Sequence, residues 1–140
     1  MEQQDQSGSG KFTFPYLLNG EQTVILKHYF GQTLRVEPNN QQNLDFKGGH
    51  GKFATWTVEL DGEEDECKVI KLKSTLTGKY LRIWKGGNEA NVGGTGGKLT
   101  RFRAKKQEKE NSYKLESINF KGKYPAVQPK GCAVGTGGKY

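Results

Sequence analysis

One phrase, glycines leading into a lysine and then an aromatic residue or leucine, occurs four times in the chain. It reads SGSGKF at 7–12, GGHGKF at 48–53, GGTGGKL at 93–99 and GTGGKY at 135–140. Its lysines, Lys11, Lys52, Lys98 and Lys139, stand 41, 46 and 41 residues apart. A period of that size means that one supersecondary unit is copied and that each copy needs its neighbours to bury a core. Repeat folds of this kind are mostly binding modules.

A second phrase runs out of phase with the first: FGQTLRVEP at 30–38, TGKYLRIWK at 77–85 and KGKYPAVQP at 121–129. Ahead of each lies a period-two alternation that puts Val24 with Leu26, Ile70 with Leu72, and Tyr113 with Leu115 on one face. That is the pattern of a half-buried strand. No stretch carries a capped apolar stripe at helical spacing, so the chain reads as all-β.

Four strands are expected per unit. They fall at 23–28, 33–37, 43–46 and 53–60 in the first unit, and at 68–74, 79–85, 89–93 and 98–106 in the second. The third unit supplies 113–118, 124–128 and 132–135 and then lacks a fourth strand. Residues 11–18 resemble 52–58 and 98–104, and they lead into Asn19-Gly20, the strongest short hairpin signal. The N-terminal strand is therefore expected to close the third unit, which removes an open sheet edge. The domain plan is a disordered tail at 1–10 and one domain at 11–140, with repeats at about 23–60, 68–106, and 113–140 plus 11–18. The C-terminal copy of the phrase competes for the same place, so a monomer and a strand-swapped homo-oligomer are both open.

Three four-stranded units of this length make a β-trefoil, a six-stranded barrel capped by three hairpins. Thr77-Gly78-Lys79-Tyr80-Leu81, a glycine-rich loop and then Phe102-Arg103-Ala104 resemble the fascin and hisactophilin branch of actin-binding trefoils. That resemblance implies actin filaments as partner and a cytoplasmic, cytoskeletal setting. Residues 74–81 are also similar to a phrase of the fibroblast growth factor trefoils. The Gln-x-Trp step of the ricin-type lectins is not found.

Charge points the same way. Lys and Arg number 22 against 15 Asp and Glu, a net charge of +7. The distribution is uneven, with an acidic run at 59–66 and a basic one at 98–106. On a strand, Arg101, Arg103 and Lys105 are expected to share an outward face, with Lys106 and Lys114 beside them. Lys71, Lys73, Lys79, Arg82 and Lys85 form a second patch, with Trp84 placed outward by alternation with Leu81 and Ile83. Such surfaces attract acidic protein faces, sulfated glycans or nucleic acid, although outward strand positions are also commonly just solvated. Replacing Arg101, Arg103 and Lys105 by Glu is expected to abolish binding without unfolding the domain.

Other chemistry finds little support. The glycine–lysine phrases miss the spacing of a phosphate-binding loop: Val92 stands where its first glycine belongs, and Leu99 replaces its Ser or Thr. They are better read as turns that use the positive φ of glycine. His28 and His50 are the only histidines, and neither lies in a zinc spacing or beside a nucleophile. The carboxylates at 63–66 lack the pattern of a calcium loop. No catalytic residue, cofactor or metal is expected. Cys67 and Cys132 are expected to be free thiols in a reducing compartment. Residues 1–10 show neither a signal peptide nor a membrane span.

Overall fold

The computed structural model describes residues 11–13, 22–28, 33–48, 51–107, 112–128 and 131–135. Its strands are β1 (Lys11–Thr13), β2 (Gln22–Ile25), β3 (Lys27–His28), β4 (Thr33–Val36), β5 (Leu44–Gly48), β6 (Thr55–Glu64) and β7 (Cys67–Ser74). They continue with β8 (Tyr80–Trp84), β9 (Glu89–Gly94), β10 (Phe102–Lys106), β11 (Ser112–Ser117), β12 (Tyr124–Gln128) and β13 (Gly131–Gly135). The expected tail at 1–10, most of the expected first strand beyond Thr13, and the C-terminal copy after Gly135 lie outside the described residues.

Pairing closes a ring. β2 and β3 are two pieces of one strand, interrupted at Leu26. β6 lies between β2 and β7, and β10 lies between β7 and β11. β1 then pairs on one side with β11, where Phe12 faces Tyr113, and on the other with β3, where Phe12 faces His28. The path returns to its starting strand, and all of these pairs are antiparallel. The hairpins β4–β5, β8–β9 and β12–β13 complete the three units. The N-terminal strand thus serves the third unit, as its sequence likeness to the other fourth strands requires.

The period-two residues meet inside the ring. Leu26, Leu34, Val36, Trp56, Val58, Ile70, Leu72, Leu81, Ile83, Phe102 and Leu115 are all fully buried in one cluster. Each such side chain contributes roughly 1.5–3 kcal/mol of burial. Trp56 also has a polar end to satisfy, and its Nε1 donates to the Leu34 carbonyl at 3.1 Å.

Two strand starts differ from expectation. Short 3-10 turns at Lys52–Ala54 and Lys98–Thr100 precede β6 and β10, so Phe53 and Lys98 stand in turns rather than opening the strands. The glycines of the repeated phrase also have a different purpose. Gly48, Gly94 and Gly135 occupy equivalent steps, opposite Thr33, Tyr80 and Tyr124. A Cβ on Gly94 would lie 2.4 Å from Thr100 Cγ2, and one on Gly48 would lie 2.4 Å from Thr33 Oγ1. These two positions need glycine for close approach. Positive φ is the requirement at Gly96, whose φ is 101°.

Among the described residues, no helix is long and apolar enough to cross a membrane.

Candidate functional site

The basic run does not form an open face. Arg103 is 6% exposed, not outward. Its Nη1 donates to Glu116 Oε1 at 2.5 Å, and its Nη2 donates to Glu64 and lies 3.5 Å from Asp65. The cover comes from the acidic run. A register shift between Leu60 and Glu63, with Gly62 at φ 95°, breaks the regular pairing of β6 with β7 ahead of their tip. Asp65 and Glu66 then turn the chain with φ of 54° and 65°, and Glu64 and Asp65 reach Arg103. Alternation along β10 predicts which face a side chain takes but says nothing of what lies over that face.

The neighbours follow the same logic. Arg101 Nε donates to Asp61 Oδ2 at 2.7 Å, and Lys68 pairs with Glu63 at 3.3 Å. Lys105 Nζ lies 3.1 Å from the Tyr124 hydroxyl and 3.7 Å from Glu116. Lys114 is buried against the Tyr124 ring, 5.9 Å from its centroid, and so does not extend a surface patch. Lys106 is exposed at the end of β10. Burial pushes the Glu116 carboxyl up, but the Gly122 amide and the Arg103 guanidinium outweigh it and hold the group below its ordinary value. Lys105 is held above its ordinary value, first by the Tyr124 hydroxyl. The charge segregation seen in sequence is thus largely cancelled within the fold. A carboxylate at position 103 would sit among Glu64, Asp65 and Glu116, so the triple Glu replacement would unfold the barrel rather than spare it.

The second patch is arranged differently. Leu81 and Ile83 are fully buried, and Arg82 and Trp84 lie half-buried on the opposite face of β8, as alternation predicts. The Arg82 guanidinium carbon sits 3.6 Å from the Trp84 ring centroid, a stacked cation–π contact worth about 1–2 kcal/mol when water is displaced. Lys85 places its Nζ 5.0 Å from the same ring. Lys85 is a non-glycine residue with φ 55°, and Gly86 and Gly87 follow it at 70° and 91°. Lys85 also pairs with Glu89 at 3.6 Å, where both side chains are exposed and the pair is weak. Lys79 is exposed just before β8. Lys71 instead donates to the Gly96 carbonyl at 2.8 Å, and Lys73 lies 5.9 Å from the Tyr80 ring centroid.

Asn91 is the member of this cluster that sequence reasoning missed. It is 8% exposed, and its Oδ1 accepts from Arg82 Nε at 2.9 Å and from the Gly93 amide at 3.1 Å. The signal was available by superposing the copies. In the first unit Arg35 donates from Nε to Asp45 Oδ1 at 2.8 Å, and the Lys47 amide donates to the same oxygen at 3.0 Å. Asn91 and Asp45 hold the same place. The third unit has Ala126 at the arginine step.

His50 lies outside the described residues, as does the side chain of His28. Cys67 is a free thiol. No model of a known protein family matches the sequence, and no curated protein matches it. Among solved structures the chain is similar to a designed threefold-symmetric protein, ThreeFoil. The two share 19% identity over 90% of this chain and 87% of that chain, with a TM-score of 0.56. The chain is a β-trefoil. At that identity the likeness carries fold and nothing finer.

Proposed function

We propose that this β-trefoil is a non-catalytic, cytoplasmic binding module that docks on an acidic filament surface through the face formed by Lys79, Arg82, Trp84 and Lys85. The resemblance of residues 77–81 and 102–104 to the fascin and hisactophilin branch makes actin filaments the partner of choice. The observation that carries the reading is the Arg82–Trp84 stack. A rigid cation on an aromatic wall, half-buried beside a turn, has the composition of an interface anchor. The basic strand β10 contributes less, because Arg101, Arg103 and Lys105 already face carboxylates of the same chain. A free Cys67 is consistent with a reducing compartment.

Co-sedimentation with filamentous actin at about 50 and 200 mM salt tests the proposal, since exposed charge contacts weaken over that range. Pelleting that saturates and is lost in Arg82→Ala supports it. Absence of pelleting at both salt concentrations removes the filament as partner. A sulfated glycan or nucleic acid is the second reading. It is favoured by Lys79 and Lys106, which are exposed and form no ion pair among the described residues.

A further inference from the structure

The first two units contain the same arginine device with two decisive changes. Arg35 and Arg82 each face their partner across the hairpin, and each donates Nε to a buried side-chain oxygen that also accepts a backbone amide. In the first unit that partner is Asp45, whose second oxygen also takes Arg35 Nη2 at 3.2 Å. Glu37, the residue after Val36, adds further negative charge around Arg35. In the second unit the partner is Asn91, and the residue after Ile83 is Trp84. Two carboxylates are replaced by an amide and an indole.

The charge of Arg82 is therefore met by no carboxylate of its own chain among the described residues. Its Nη1 and Nη2 donate to no acceptor there, and the amide nitrogen of Asn91 is itself a donor. Trp84 Nε1, in the same cluster, is a further buried donor with no acceptor among the described residues. Burial alone acts on Arg82 and lowers its pKa, whereas Asp45 raises that of Arg35. Backbone shape follows the same division. Gly93 stands where the first unit has Lys47, and a Cβ there would lie 2.8 Å from Arg82 Nη2.

We infer that the Arg82 edge is a recognition site for one carboxylate of an acidic protein partner, supplying from outside the charge that Asp45 supplies internally in the first unit. A planar pair of N–H donors matches the two oxygens of a carboxylate. Arg82 and Lys85 carry two positive charges and Glu89 carries one negative, so the cluster balances a single negative charge. The inference sharpens the docking face proposed above and rests on that face being the one used.

The test is titration of the full chain with hexaglutamate, and separately with heparin, followed by calorimetry and by tryptophan emission at about 50 mM salt. Asn91→Asp rebuilds the first unit's arrangement and should weaken hexaglutamate binding about tenfold or more, the value of one charge-assisted hydrogen bond, while the melting temperature is kept or raised. Arg82→Lys retains the charge but loses the fork, and should weaken binding by a similar factor. Hexaglutamate binding that is unchanged in a folded Asn91→Asp protein overturns the site, as does absence of binding by the wild type. Heparin binding that survives Asn91→Asp, with no hexaglutamate binding, overturns the carboxylate assignment. Hexaglutamate binding without filament pelleting leaves this site standing and removes only the filament.

Discussion

The hairpins β4–β5 and β8–β9 share a backbone plan and differ in how their arginine is answered. In β4–β5 the Arg35 charge is neutralised inside the hairpin by Asp45. In β8–β9 the same position is held by a neutral amide, and the guanidinium lies on an indole. A threefold plan thus allows one copy to be structural while another, built on the same bonds, is left electrostatically incomplete. Arg103 in the barrel wall is a third case, with Glu116, Glu64 and Asp65 around one cation. Where carboxylates gather, the arginine is a strut. Where they are withheld, its charge is met by no carboxylate among the described residues.

The largest test of that contrast is Arg103→Ala. Removing the cation leaves the buried Glu116 with only the Gly122 amide and the more distant Lys105 ammonium, and the expected loss is about 3 kcal/mol in urea unfolding. The wild type should also be acid-sensitive. The folded-state pKa of Glu116 lies below its ordinary 4.5, so its contribution is complete above that value and disappears as pH falls through the folded-state pKa. The stability of Arg103→Ala should fall less steeply below pH 4.5 in the same experiment, because the cation that stabilises the charged carboxylate is gone. A wild-type curve that stays flat through the acid range would show that Glu116 is not stabilised in its charged form.

Asp45→Asn converts the first hairpin toward the second and should cost about 1–3 kcal/mol, since a partly buried charged bond is lost. Asn91→Asp makes the opposite conversion and should gain about 1 kcal/mol at neutral pH, read from the same unfolding curves. If the two changes shift stability equally and in the same direction, the two arginines are not equivalent and the comparison fails. Lys79→Ala comes last. It should change stability by less than about 0.5 kcal/mol, and its effect should appear only as a shallower salt dependence of partner binding.

The architecture was legible because repetition is a covalent fact. The second phrase, in three copies, counted the units, and the likeness of residues 11–18 to 52–58 and 98–104 located the closing strand. The reason for the glycine–lysine phrase was not legible. Gly48 and Gly94 are there because Thr33 and Thr100 approach them, and that closeness exists only after folding. The site divided similarly. Trp84 and Arg82 follow from alternation along a single strand. The burial of Arg103 depends on a bulge at Gly62 and a turn at Asp65 and Glu66, which bring a distant acidic segment over β10. Asn91 was hidden for a third reason: an amide in place of a carboxylate means something only when two copies are set in register.

The closing strand has a consequence for how the chain is made. β1 is synthesised before the other described strands, yet its partner β11 is separated from it by most of the described chain. During translation Phe12 therefore has one side of its pairing available early, through β3, and the other only after Tyr113 has left the ribosome. Among the described strands, β1 is thus made early and locked late. Until then the growing barrel is a curl with a seam, and the speed of elongation sets how long that seam stays open.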